Sequence, residues 1–311
     1  MAASPPVLGS GEGASPPRGA LATVADYVSL TKPRIIELLL VTTVPAMALA
    51  AGRWPGTLAV TATLTGGALS AGAAHAYNMV IDRDIDGEMR RTRDRPLPAG
   101  RITAPRALVF ATVLAVAGPL LLAVTVGSLA AAIAIAAIAF YVLVYTLALK
   151  RHTVHNIVIG GAAGAAPPLI GWAAVTGELT PAAWVLFAVV FLWTPPHFWA
   201  LAIICRDDYE GVGMPMLPVV ASPGVAARQS LGYAVATAAT ALALPLADER
   251  VGWLYVAAAA IGGVWFVVTA ARTVVDPSPR IARKLFTGSI GYLSLVFLAL
   301  LADQLLRRPG A

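Results

Sequence analysis

The sequence predicts an all-α polytopic membrane protein with nine transmembrane helices and a cytoplasmic N-terminus. Three observations carry this. Hydrophobic residues make up 58% of the 311 residues and charged residues only 12%, against roughly 25% charged in a soluble domain. The apolar residues fall in continuous runs of about 20, the length a helix needs to cross a bilayer, without the period-two alternation of barrel strands. With the N-terminus inside, lysine and arginine split 18 to 4 in favour of the cytoplasmic side, as the positive-inside rule requires. That split demands an odd number of spans. It also accounts for the net charge of +6, so no nucleic-acid partner is needed.

Residues 1–22 are rich in Pro, Gly, Ser and Ala and read as a disordered tail. A single membrane domain is expected over 23–306, with a short tail at 307–311. The apolar windows are 35–51, 56–79, 105–126, 129–149, 156–176, 181–205, 229–247, 251–271 and 285–305. The fifth holds Pro167 and Pro168 beside Gly160, Gly161 and Gly164, small residues that permit close helix packing. The sixth holds Thr194-Pro195-Pro196-His197. Two prolines there predict an interrupted helix whose backbone lines a cavity or is satisfied by neighbours. Cys205 is the sole cysteine, which excludes an intramolecular disulfide and a CxxCH haem attachment.

The acids are clustered. Five lie at 82–94 and three at 207–210, each group just after an apolar window on the predicted cytoplasmic side. In NMVIDRDID, Asn78, Asp82 and Asp86 are spaced by four. On a continued helix they share one face. Stacked oxygen ligands suit Mg²⁺, which is usually held by one or two carboxylates and substrate phosphates. The other reading is a solvated charged loop in which Arg83, Arg91 and Arg95 neutralise the acids. Two acidic clusters with arginines at one membrane face suit a Mg²⁺-bridged polyanion. Apolar walls suit an isoprenyl diphosphate.

The chain resembles the UbiA superfamily of intramembrane prenyltransferases. The resemblance rests on Asn78-x3-Asp82-x3-Asp86 with Met89, Arg91-Thr92, Arg95-Pro96 and Gly100, and on Thr31-Lys32-Pro33-Arg34. It covers about residues 25–305. Two longer runs, YTLALKRHTVHNIVIGGAAGAAPPLIGWAAVTG at 145–177 and TPPHFWALAIICRDDYEGVGMPMLPVV at 194–220, are similar to the haem-modifying branch. The acids of the second motif are fewer than in quinone-type members, which fits that branch.

The resemblance implies a helical bundle around a lipid-lined cavity. It implies Mg²⁺-dependent transfer of farnesyl from farnesyl diphosphate to a vinyl group of haem b, with water added, giving haem O and diphosphate. Asn78, Asp82, Asp86, Asp207 and Asp208 are the implied catalytic residues, with Asn78, Asp82, Asp86 and Asp208 on the metal. Lys32, Arg34, Arg91, Arg95, Lys150, Arg151 and Arg206 are candidates for the diphosphate. Tyr77, Tyr141, Tyr145 and Trp193 are candidate aromatic faces for an allylic cation, although packing explains such residues as well.

Among the histidines, His197 is the candidate haem ligand. His75 and His155 are expected to hydrogen-bond neighbouring helices, and His152 to be a solvated loop residue. The implied home is a bacterial cell membrane, or else the mitochondrial inner membrane. The implied onward partners are a haem A synthase or haem–copper oxidase assembly. The rival readings are a prenyltransferase for a quinone-type aromatic or a chlorin, and a secondary transporter. Transporter charges usually lie near the bilayer midplane, whereas these acids lie at one face.

Overall fold

A computed structural model describes residues 19–306, apart from the side chains of residues 34, 35 and 37–40. Of the expected tails at 1–22 and 307–311, residues 1–18 and 307–311 lie outside the described residues, as does the side chain of Arg34, while residues 20–22 are the first residues of a helix. Within them the chain forms helices and turns and no strand. Helix α1 is Ala20–Leu30, α2 Pro33–Ala51, α3 Thr57–Ile81, α4 Arg83–Glu88 and α5 Ala104–Thr125. Then follow α6 Ser128–Leu149, α7 Asn156–Thr176 and α8 Pro181–Ile204. The remainder are α9 Arg206–Gly211, α10 Leu217–Val220, α11 Pro223–Leu242, α12 Leu244–Ala247, α13 Trp253–Val275 and α14 Pro279–Leu306.

Proline opens α2 and α8, where its missing N–H costs nothing. The Ser222 hydroxyl caps α11 by accepting from Val225 N at 3.2 Å. Among the described residues, seven helices are long and apolar enough to cross a membrane: α3, α5, α6, α7, α8, α13 and α14. Helix α11 has 20 residues but carries Arg228, Gln229 and Ser230 in its second turn, so it is less apolar. It still packs between α8 and α13. The ninth-from-last window, 35–51, overlaps the residues whose side chains are not described, and α2 packs against α7 and α14.

The largest core joins α2, α7, α8, α11, α13 and α14 through Leu49, Trp172, Leu186, Tyr255, Phe266 and Phe297. One end of this core is tied by polar groups. Arg250 donates to Ala50 O at 3.2 Å, and Gln304 Nε2 donates to Arg250 O at 2.8 Å. The opposite end carries the acids.

Two regions depart from a plain α-helix. Helix α7 breaks at Ala165, between Asn156–Gly164 and Ala166–Thr176, next to Pro167 and Pro168. The last ten residues of α6, Phe140–Leu149, form a π-helix, with Lys150 N reaching Tyr145 O at 2.8 Å. Helix α8, in contrast, runs unbroken through Pro195 and Pro196. This corrects the expected interruption. The prolines remove the donors that would meet the carbonyls of Phe191 and Leu192, and the helix continues through the gap among buried neighbours.

Small residues let α3 and α5 approach closely. A Cβ on Gly118 of α5 would lie 2.5 Å from Ser70 Oγ and 2.8 Å from both Gly66 O and Ser70 N of α3. Two of those atoms are backbone, so the helices must separate to admit a side chain. Gly118→Val is expected to cost about 1–3 kcal/mol or more, the usual range of overpacking, read as a lower unfolding temperature in detergent. Gly67→Val is the control, since a Cβ there meets nothing within 4 Å.

Candidate active site

The acid motif lies where α3 ends. Asp82 is the C-cap of α3 and Asp86 lies in α4. Asp86 N donates to Asp82 O at 2.8 Å, so the helical path continues across the junction and the four-residue spacing keeps one face. Asn78, Asp82 and Asp86 are 2%, 1% and 4% exposed. A solvated loop would leave them open to water, so that reading fails.

Carboxylates this buried need partners. Asn78 Nδ2 donates to Asp82 Oδ2 at 2.6 Å. Lys150 Nζ makes a short ion pair with the same oxygen, and Arg151 Nη2 lies 3.4 Å from Asp82 Oδ1. Arg95 Nη1 pairs with Asp86 Oδ2 at 2.7 Å. Lys32 Nζ donates to Asn78 Oδ1 at 2.9 Å. Seven predicted residues, Lys32 among them, therefore converge from the start of α2, from α3 and α4, and from the loops after α4 and α6.

Backbone geometry reinforces this. Lys32 is left-handed, with φ 54° and ψ 59°, directly before Pro33. A non-glycine residue rarely adopts that conformation, and such strain clusters at functional sites. The π-helix turns Tyr141 and Thr146 toward α3 and Tyr145 against α7. Thr146 Oγ1 accepts from Asn78 Nδ2 at 3.3 Å and donates to Tyr141 O at 2.8 Å. A Cβ on Gly160 would lie 2.2 Å from Tyr145 Cδ2, so glycine is needed where α7 crosses the π-helix.

The site is short of negative charge. Lys32, Arg95, Lys150 and Arg151 surround two buried carboxylates. Burial, with Arg95 and Lys150 nearby, pulls the Lys32 ammonium down to about 7. Crowded cations of this kind favour an anion. Outside the cluster, Arg151 also takes Asp84 through two contacts of 2.7 and 2.8 Å. Its hydrogen bonds hold that carboxyl at about 2.

The second motif is less tightly joined. Asp207 is exposed and Asp208 half-buried. Among the described residues, no ion pair or hydrogen bond links either to Asp82 or Asp86. Arg206 pairs along its own helix with Glu210 at 3.8 Å. The link is Arg91, whose Nη2 donates to the Tyr209 hydroxyl at 3.4 Å. Met89, Tyr209, Met214 and Met216 pack the two loops together. Tyr209 was not legible as a contact because 118 residues separate it from Arg91. Asp207→Ala is expected to change stability by no more than about 0.5 kcal/mol, as for an exposed surface substitution, read as an unchanged unfolding temperature in detergent.

No three of His, Cys, Asp and Glu converge to hold a metal among the described residues. The donor set nonetheless fits Mg²⁺, which takes one or two carboxylates and completes its shell with water and phosphate. Asp82, Asp86 and the Asn78 amide oxygen are that set.

His197 occupies a different environment. Its ring stacks between Trp193, at 4.4 Å, and Phe286, at 4.6 Å. Nδ1 lies 2.8 Å from Ser289 Oγ. The Ser289 hydroxyl spends its one hydrogen on Phe286 O at 2.7 Å. Nδ1 must then be the donor, which leaves Nε2 as a bare lone pair. Trp193 is engaged in the same corner, its Nε1 donating to Ser289 O at 2.7 Å.

The other histidines sort themselves. His152 and His155 are exposed, so His155 does not bridge helices. His75 is buried, with no hydrogen-bond partner on either nitrogen among the described residues. It meets the Tyr141 ring edge-on at 5.4 Å, which corrects the expected helix-to-helix hydrogen bond. Tyr77 faces outward and pairs with Thr112 at 2.8 Å, away from the acids.

The model of the UbiA prenyltransferase family matches residues 39–301. A protoheme IX farnesyltransferase of Clavibacter michiganensis is 52% identical over 284 residues, 90% of this chain and 92% of that protein. That of Gloeobacter violaceus is 51% identical over 286 residues, 91% and 93% of the two chains. Among solved structures, a digeranylgeranylglyceryl phosphate synthase superposes with a TM-score of 0.75 at 18% identity, over 91% of this chain and 99% of that one. A UbiA homolog from Archaeoglobus fulgidus bound to GPP and Mg²⁺ superposes with a TM-score of 0.63 at 15% identity, over 89% and 99%. These two share the fold.

Proposed function

The chain belongs to the UbiA prenyltransferase family, and we propose that it transfers farnesyl from farnesyl diphosphate to a vinyl group of haem b. Water adds, and the products are haem O and diphosphate. The observation that carries this is the buried Asn78–Asp82–Asp86 face ringed by an excess of cations at one end of an apolar bundle. The choice of haem is supported by relatives about half identical over nine-tenths of the chain that bear the name protoheme IX farnesyltransferase.

Lys32, Lys150, Arg151 and Arg95 would release their carboxylate or amide partners and donate to diphosphate oxygens. Arg91, anchored to Tyr209, and Arg34, at the start of α2, would join them. Mg²⁺ held by Asn78, Asp82 and Asp86, with Asp208 completing the set from the second loop, would neutralise charge growing on the leaving diphosphate. The apolar walls would keep bulk water from the allylic cation, and the Tyr141 and Tyr145 rings of the π-helix would stabilise it. The haem vinyl attacks C1, and water captures the resulting cation. His197 Nε2 would ligate the haem iron, with Ser289 fixing the tautomer.

This multi-pass membrane protein is proposed to have nine spans. Helices α2 and α11 join the seven apolar ones, with the acid end in the cytoplasm of a bacterial cell. Its product would pass to a haem A synthase or to haem–copper oxidase assembly. An acceptor competition tests the reading. Purified protein in nanodiscs receives farnesyl diphosphate, Mg²⁺, haem b and a hydroxybenzoate together. Farnesylated haem as the sole product is expected. Farnesylated aromatic without modified haem would transfer the assignment to the quinone-type reading.

A further inference from the structure

A second charged site lies apart from the acids, in a groove of about 330 Å³ between α13 and α14. Arg272, in the last turn of α13, and Lys284, in the second turn of α14, line it. Neither has a hydrogen bond or ion pair among the described residues. Two cations sharing one cavity without a counter-charge repel each other, and an anion between them relieves this.

Away from those charges, exposed apolar side chains run along the same two helices. Ile261, Trp265 and Arg272 fall on one face of α13 by helical spacing, and Lys284, Leu295 and Leu298 on one face of α14. Ile261, Trp265, Leu295 and Leu298 are exposed. Trp265 lies over glycine: a Cβ on Gly288 or Gly291 would come within 3.4 Å of its Cη2. The absent side chains therefore form the groove floor.

The charged mouth lies at the acid end of the bundle. Ala282 packs with Ile203 and Leu217, beside the second motif. Cations at a helix end above an exposed apolar track match one amphiphile, with an anionic head and acyl chains. Basic pockets between transmembrane helices bind anionic lipid headgroups for this reason. We propose that the α13–α14 groove binds one anionic phospholipid, its phosphate between Arg272 and Lys284 and an acyl chain along Trp265 and Leu295.

The test is native mass spectrometry of the full-length protein released from nanodiscs of phosphatidylcholine with or without phosphatidylglycerol. Wild type is expected to retain one phosphatidylglycerol and not phosphatidylcholine. R272Q/K284Q is expected to bind it about 30-fold more weakly, from roughly 1 kcal/mol per cation near the surface at 1.4 kcal/mol per tenfold. R280Q/R283Q, which removes equal charge outside the groove, should retain it. G288L fills the floor while keeping both cations and should lose the lipid too, so it decides the matter if R272Q/K284Q fails to fold. Equal loss in both double variants would reduce the effect to diffuse surface charge and overturn the site. So would retention in R272Q/K284Q, equal retention of both lipids, or full displacement by inorganic phosphate.

Discussion

Asp82→Ala is expected to lower product formation by about a thousandfold, the upper range for removing one group that stabilises transition-state charge. Asp82 is 1% exposed and is the hub of the cluster, shared by Asn78, Lys150 and Arg151. Its loss would remove a metal oxygen and free Lys150 and Arg151 from their positions at once. Asp86→Ala should act similarly through Arg95. Both variants should insert and fold, because the altered groups lie at the end of the bundle and the main core is elsewhere. Insertion is checked by membrane extraction and by elution as a single species. Full activity in both variants would refute the metal and diphosphate assignments together.

His197→Phe separates the second substrate from the first. Phenylalanine keeps the stack between Trp193 and Phe286 but removes both ring nitrogens. Loss of the iron ligand should weaken haem binding by at least about 10–100-fold, the range reported for disturbing even the outer partners of a metal ligand. The Soret band of bound haem should shift. Farnesyl diphosphate binding should be unchanged. Ser289→Ala should weaken haem binding less, because it loosens the tautomer while leaving Nε2 in place. An unaltered Soret band in His197→Phe would exclude His197 as the ligand.

Much of this was legible in sequence, for physical reasons. Membrane helices announce themselves by length and apolarity, so the seven helices matching the span criteria fall within a few residues of their predicted windows, although α14 starts earlier. The Asn78–Asp82–Asp86 face follows from period alone. What sequence hid was non-local or backbone-specific. Lys150 reaches Asp82 across 68 residues, and only the fold can name that partner. The π-helix at 140–149 has no composition signal, yet it aims Thr146 at Asn78. Pro195 and Pro196 read as a break, but packing around α8 carries the helix through. His75 read as a helix-bridging group, yet it is buried without a hydrogen-bond partner among the described residues. The packing of the second acidic loop against the first was equally hidden. The structure joins the two loops through Tyr209 and methionines, with Asp207 in solvent.

The central claim is that prenyl diphosphate is ionised at the Asp82–Asp86 face with a divalent cation, and that haem b receives the farnesyl group. The most direct measurement gives membranes containing this protein haem b, farnesyl diphosphate and Mg²⁺, with an EDTA control, and analyses the extracted haems by mass spectrometry. The account predicts a haem heavier by one farnesyl group and one water, absent when EDTA is present. Unmodified haem from folded, lipid-bound protein, or product formation undiminished by EDTA, would contradict it.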